Sequence, residues 1–218
     1  MNTLSTIKIT GPDAFEFLQG QLTIDLLKLS PEESRLSAWC NPKGRVICLM
    51  DLSKTAEGYD ADVATDLSGE IVKRLMVFRF RSKVEFEILS AESDVDMVDR
   101  IKTGVPWIGL QQSELFTPHM LNLDLLGAVS VDKGCYTGQE IIARTHYKGS
   151  TKRRAMRFKS DKPVAVGDKV SLDDRDIGEV LNVSGNDLLA VVPVAKSEDA
   201  LAVNGILLSQ APLPYDVD

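Results

Sequence analysis

The chain has 218 residues, enough for one large domain or two small ones around a sizeable core. Hydrophobic residues make up 44% and charged residues 26%, which excludes a disordered chain; the net charge is −7. No apolar run approaches membrane-spanning length, the N-terminus has no signal-peptide pattern, and Cys40, Cys48 and Cys135 form no C-x-x-C pair, so the expectation is a reducing cytoplasm with no membrane partner, disulfide framework or closed zinc site.

Residues 4–9 read as a short strand, and residues 12–20 as a helix with Pro12 in its first turn and Gly20 at its end. Residues 35–40 and 45–52 flank Asn41-Pro42-Lys43-Gly44, which predicts a β-hairpin. Residues 59–64 alternate as a third strand. Ile71, Val72, Leu75, Met76 and Phe78 give residues 69–78 a helical stripe, and residues 84–89 alternate again. The order β-α-β-β-β-α-β predicts an α+β sheet with helices on one face. Residues 93–102 read as an Asp-rich helix ended by Gly104 and Pro106, and a loop follows to residue 132. After a helix over 138–147, short strands at 154–159, 169–172, 177–183, 188–194 and 206–209, separated by Gly and Asn turns, predict a small barrel. The expected divisions are an α+β region over 1–132, a cysteine motif and helix over 133–150, and a barrel over 151–218.

Lys133-Gly134-Cys135-Tyr136-Thr137-Gly138-Gln139-Glu140 is the most informative segment. Thr137 and Glu140 have capping-box spacing, which would put Cys135 just before a helix N-terminus and beside Lys133. A cation and a helix N-terminus both favour a thiolate, so Cys135 reads as a reactive thiol with Lys133 as its activator. The alternative is a buried cysteine serving as a small hydrophobe. Residues 133–157 hold seven cations (Lys133, Arg144, Lys148, Lys152, Arg153, Arg154, Arg157) against Glu140, a basic segment in an acidic chain that points to an anionic partner or to a solvated surface.

Other candidates are weaker. Gln19, Gln21, Thr23 and Asp25 could line a ligand cavity, but polar capping of a helix exit accounts for them better. Lys43 and Arg45 at the hairpin tip could hold an anion. His119 reads as loop packing and His146 as a helix-end residue; with two histidines and no carboxylate or cysteine at ligand spacing, no metal site is expected. Trp39 and Trp107 are core or pocket wall. No Gly-rich phosphate loop or G-x-S-x-G elbow is present.

K-G-C-Y-T-G-Q-E, the following I-I-A-R, Y-K-G and K-R-R together resemble the signature of the YgfZ-type proteins, folate-binding relatives of the glycine-cleavage T-protein (aminomethyltransferase). F-L-Q-G-Q-L-T-x-D over 17–25, N-P-K-G-R over 41–45, G-V-P over 104–106, P-x-x-x-N-L-D over 118–124 and the tail P-L-P-Y extend the likeness over nearly the whole chain. The resemblance implies an α+β T-protein-like folate-binding fold with a truncated middle region and a small C-terminal β-barrel. It also implies an accessory role in iron–sulfur cluster assembly or maintenance, linked to tRNA-modifying enzymes, with Cys135 as the working thiol. Its motifs place cofactor-binding candidates at Gln19, Gln21, Thr23, Asp25, Arg45, Lys102, Asn122, Asp124, Tyr136 and Arg144. The implied cofactor is tetrahydrofolate, and the implied partners are folate or another anionic small molecule and iron–sulfur client or assembly proteins.

Three departures qualify that reading. The middle region between Leu89 and Gly104 is short. Gly44-Arg45-Val46-Ile47-Cys48-Leu49 lacks the acidic pair of true aminomethyltransferases, so that activity is not expected and enzymatic function is left open. Lys102 stands where T-proteins place a pterin-gripping glutamate; an ammonium donates and cannot accept pterin N–H bonds, so weak folate binding is expected. The alternative function is a non-catalytic RNA- or protein-binding module docking through residues 144–157.

Overall fold

The structure, a computed structural model, describes residues 2–149 and 151–217, with the side chains at 90, 91 and 148 outside the description. Lys148 of the basic segment is among these. The chain forms two compact units, each built from three stretches of sequence. One comprises Met1–Val95, Ile108–Pro118 and Leu126–Lys148; the other comprises Asp96–Trp107, His119–Leu125 and Gly149–Asp218. No helix among the described residues is long and apolar enough to cross a membrane.

The first unit is an antiparallel sheet in the order β2-β3-β4-β1-β5, formed by β1 (Thr3–Thr10), β2 (Ser34–Cys40), β3 (Val46–Lys54), β4 (Gly58–Ala64) and β5 (Glu85–Asp94). Alternation buries Ser5, Ile7 and Ile9 of β1 and Tyr59, Ala61 and Val63 of β4. Helix α1 (Ala14–Gln19) packs against β4, and α2 (Thr65–Arg79) packs against β1, β4 and β5. Leu67, Ile71 and Leu75 recur every fourth residue and form the buried stripe of α2. The hairpin predicted around residues 41–44 forms as β2–β3. The helix predicted over 93–102 starts late. Thr3 and Leu4 of β1 pair with Asp94 and Ser93, so β5 continues to Asp94 before α3 (Met97–Thr103) begins. Asp96 caps α3 by accepting from the Asp99 amide at 2.9 Å, and Gly104 ends it at φ 71°.

The second unit is a closed six-stranded barrel in the order β10-β11-β6-β9-β8-β7. Its strands are β6 (Arg153–Ser160), β7 (Lys169–Leu172), β8 (Arg175–Ser184), β9 (Asp187–Pro193), β10 (Ala202–Val203) and β11 (Ile206–Ala211). The sequence showed five of them; β10 is two residues long, too short for a periodic signal. Met156, Phe158, Val170, Val180, Leu188, Ala190, Val192, Leu201 and Val203 fill the core. Buried Asn182 accepts from the Trp107 amide and donates to its carbonyl, both at 2.9 Å, tying residue 107 to β8.

Candidate functional site

Within the first unit, three segments distant in sequence meet. These are the exit of α1 (19–25), the β2–β3 hairpin (41–45) and the cysteine segment leading into α4 (Gln139–Lys148). Gln19 is used at both ends of its amide, donating to Asp25 Oδ1 at 2.8 Å and accepting from the Leu26 amide at 2.9 Å. Asp25 Oδ1 also accepts from the Leu27 amide at 3.1 Å. Its bond from Gln19, together with that from Leu27, outweighs desolvation and holds this carboxyl below the usual range. Gln21 Oε1 accepts from Trp39 Nε1 at 3.2 Å and from Thr137 Oγ1 at 3.3 Å, and so joins α1, β2 and the cysteine segment. Thr23 is buried, donating to the Ala128 carbonyl at 2.6 Å and accepting from the Ala38 amide at 2.9 Å.

The cysteine segment sits on this frame. Lys133 is 8% exposed and gives its ammonium to the Leu22 and Ile24 carbonyls at 2.8 and 2.6 Å, with the Tyr136 ring 5.1 Å away. Desolvation brings the Lys133 pKa down to about 8 against the opposing pull of Asp25. Tyr136 is 6% exposed, and its buried hydroxyl has no hydrogen-bond partner among the described residues. Burial, reinforced by nearby Cys40, pushes this phenol's pKa up. Cys135 between them is exposed, whereas Cys40 and Cys48 are buried and burial raises both thiol pKa values.

The capping box does not form as expected. Gly138 takes φ 83°, α4 starts at Gln139, and the Thr137 hydroxyl turns to Gln21. The reason is close packing of the hairpin. A Cβ on Gly138 would lie 2.7 Å from the Asn41 carbonyl oxygen, and one on Gly44 would lie 3.1 Å from Ile141 Cβ. Two glycines from separate motifs thus make one contact. Asn41 Oδ1 accepts from the Lys43 and Arg45 amides at 2.9 and 3.0 Å, shaping the tip. Arg45 donates to the Leu115 carbonyl. Asn41 also donates to Glu114 Oε2, and Arg74 to Glu114 Oε1. Arg74, with help from Asn41, holds the Glu114 carboxyl below the usual range. Glu114 was not singled out from the sequence, and nothing in its irregular surroundings signals it.

The other candidates lie elsewhere. Arg144 is exposed on α4. Lys102, Asn122 and Asp124 belong to the second unit. Lys102 is exposed on α3. Asn122 donates to the Ala155 carbonyl at 2.7 Å and to Tyr215 Oη at 3.3 Å, while Tyr215 donates to the Gly104 carbonyl. Asp124 takes a two-pronged bond from Arg154, 2.9 Å to each oxygen. Arg157 pairs with Asp187 at 2.7 Å, and Arg153 donates to the Ile177 carbonyl. Three cations of the basic segment are therefore engaged inside the barrel unit. His119 is buried, and the His146 ring stands edge-on to Tyr147 at 5.0 Å.

No protein-family model matches the chain. It is 25% identical to the tRNA-modifying protein YgfZ of Aliivibrio fischeri over all of this chain and 85% of that protein. It is 24% identical to YgfZ of Hamiltonella defensa over 84% of this chain and 73% of the relative. An uncharacterised Haemophilus influenzae protein is 27% identical over 97% and 95% of the two chains. The crystal structure of glycine cleavage system aminomethyltransferase T from Bartonella henselae superposes with a TM-score of 0.76 at 17% identity, covering 97% of this chain and 83% of that one. Over most of its length the chain is thus similar to YgfZ proteins, at 24–25% identity. Its fold is that of the T-protein, ending in a closed barrel.

Proposed function

We propose that this protein is a YgfZ-like folate-binding accessory protein that supports iron–sulfur cluster assembly or maintenance, linked to tRNA-modifying enzymes, with Cys135 as its working thiol. One observation carries the reading: the cysteine segment is clamped onto the α1 exit and the hairpin by Lys133, Thr137 and Gly138, yet leaves Cys135 exposed. A buried frame holding one accessible sulfur is suited to meet a reactive sulfur or one-carbon species while its base stays fixed.

The residues fit tetrahydrofolate in part. The buried, unpartnered Tyr136 hydroxyl offers a donor or acceptor to a polar ring, and ionised Asp25 is an acceptor for ring N–H groups. Lys102 cannot accept, so it does not reproduce the carboxylate grip of T-proteins. Bound tetrahydrofolate would supply one-carbon chemistry; the chain's own part is to orient the ring and present the thiol.

Titration with mono- and polyglutamylated tetrahydrofolate at low and high salt tests the ligand. Weak, salt-sensitive binding that improves with tail length is expected, because exposed charge contacts are screened. Absence of binding by the natural chain and by Lys102→Glu would remove folate from this account. In host cells lacking the protein, activity of iron–sulfur tRNA-modifying enzymes should fall, returning with the natural gene and not with Cys135→Ser.

A further inference from the structure

The end of α2 carries a surface that the thiol motif does not use. From Lys73 to Lys83 the chain reads Lys-Arg-Leu-Met-Val-Phe-Arg-Phe-Arg-Ser-Lys, five cations with no carboxylate. Arg74 is paired with Glu70 and Glu114, and Arg79 donates to the Val84 carbonyl. Among the described residues, no carboxylate pairs with the side chains of Lys73, Arg81 or Lys83. Around them, Val77 is 78% exposed, Phe78 46% and Phe80 85%. Phe78 is anchored edge-on to the buried Trp39 at 5.9 Å. Phe80 stands just past the helix at φ 44°, a conformation that non-glycine residues rarely adopt, with the Arg81 guanidinium 5.4 Å from its ring centroid. Held strain at an exposed aromatic is a common mark of a functional position. Beside it lies a groove of about 420 Å³ lined by Gly11, Arg79, Phe80, Ser82, Lys83 and Glu85.

We propose that this surface binds single-stranded RNA. Exposed aromatic rings next to guanidinium groups stack unpaired bases, and unpaired lysines track the phosphates. In a chain of net charge −7, such a concentration of cations is a place where a polyanion can settle. The groove also offers the Glu85 carboxylate and Ser82 hydroxyl, acceptors for a ribose 2′-hydroxyl that a deoxy strand does not carry. A lipid surface fits less well. Met76, Val77 and Phe78 point in successive directions around the last helical turn, and Arg79 and Arg81 flank Phe80, so no continuous apolar stripe faces one plane.

The test is fluorescence anisotropy of a labelled twelve-nucleotide single-stranded RNA with the full chain, alongside the matching DNA, phosphatidylserine vesicles and a solution mass measurement. Binding should weaken with salt. Phe80→Ala should weaken it about ten-fold and Phe80→Trp should retain it. Arg81→Gln and Lys83→Gln should each lower the slope of log affinity against log salt by about 0.7. Absence of RNA binding, equal affinity of natural protein and Phe80→Ala, or equal affinity for DNA would overturn the proposal. Vesicle binding without RNA binding would overturn it in favour of a membrane surface. A dimer dispersed by Phe80→Ala, without RNA binding, would overturn it in favour of a contact between copies.

Discussion

Cys135 and Lys133 are two residues apart, yet their surroundings are opposite. The thiol is in solvent; the ammonium is buried against the Leu22 and Ile24 carbonyls. Iodoacetamide should therefore label Cys135 in the folded chain, with Cys40 and Cys48 following only after denaturation; peptide mass spectrometry at each cysteine reads the order. Buried lysine also leaves a signature in stability. Its pKa falls from 10.5 to about 8 on folding, so between those values the unfolded chain binds more protons and stability rises with pH. Urea midpoints should climb more steeply from pH 8 to 10.5 in the natural protein than in Lys133→Met. Matching slopes would mean that the ammonium is not desolvated. At this scale the sequence revealed the residue types but not their exposure, because K-G-C-Y does not say which of its side chains turns inward.

Among the elements, the junction of hairpin and α4 depends on a glycine. Gly138 combines φ 83° with a Cβ position 2.7 Å from the Asn41 carbonyl oxygen. Gly138→Ala should destabilise by about 1–3 kcal/mol, measured by denaturant unfolding. It should also loosen Cys135, seen as a changed alkylation rate. The T-x-x-E pattern pointed to a different start for α4. Local spacing signals a cap, but the hairpin's approach selects the backbone conformation that separates Thr137 from the helix. The basic segment teaches the same lesson, since Arg153, Arg154 and Arg157 all lie on β6 yet all find partners within the barrel unit. Arg154 and Asp124 are largely buried, and Asp124→Ala should cost about 3–5 kcal/mol by stranding the guanidinium. Desolvation pushes the Asp124 carboxyl up, but the Arg154 bond and charge, joined by His119 and a backbone amide, prevail and hold it below its ordinary pKa. The pair's stabilisation is present at neutral pH and is lost as acid titrates Asp124, and thermal melts of natural protein and variant should converge there.

At the scale of the whole molecule, neither unit is one continuous stretch. Residues 151–218 expressed alone would lack Trp107, the partner of Asn182, and Asp124, the partner of Arg154. That fragment should unfold at markedly lower temperature than the barrel signal of the full chain, or without a cooperative transition, by circular dichroism. A sharp melt at the same temperature would show that residues 96–107 and 119–125 are dispensable to the barrel. The sequence by itself determined the elements, because alternation, helical stripes and turn residues act over a few positions: it showed five of the barrel strands, the hairpin and the helices of the first unit. It also marked the cysteine segment, whose residue types are chemically distinctive. Tertiary structure decided the rest. Burial of Lys133, engagement of the arginines, the left-handed turn at Gly138 and the exposed basic-aromatic end of α2 each depend on groups tens of residues away, whose desolvation and close packing arise only when the chain has folded.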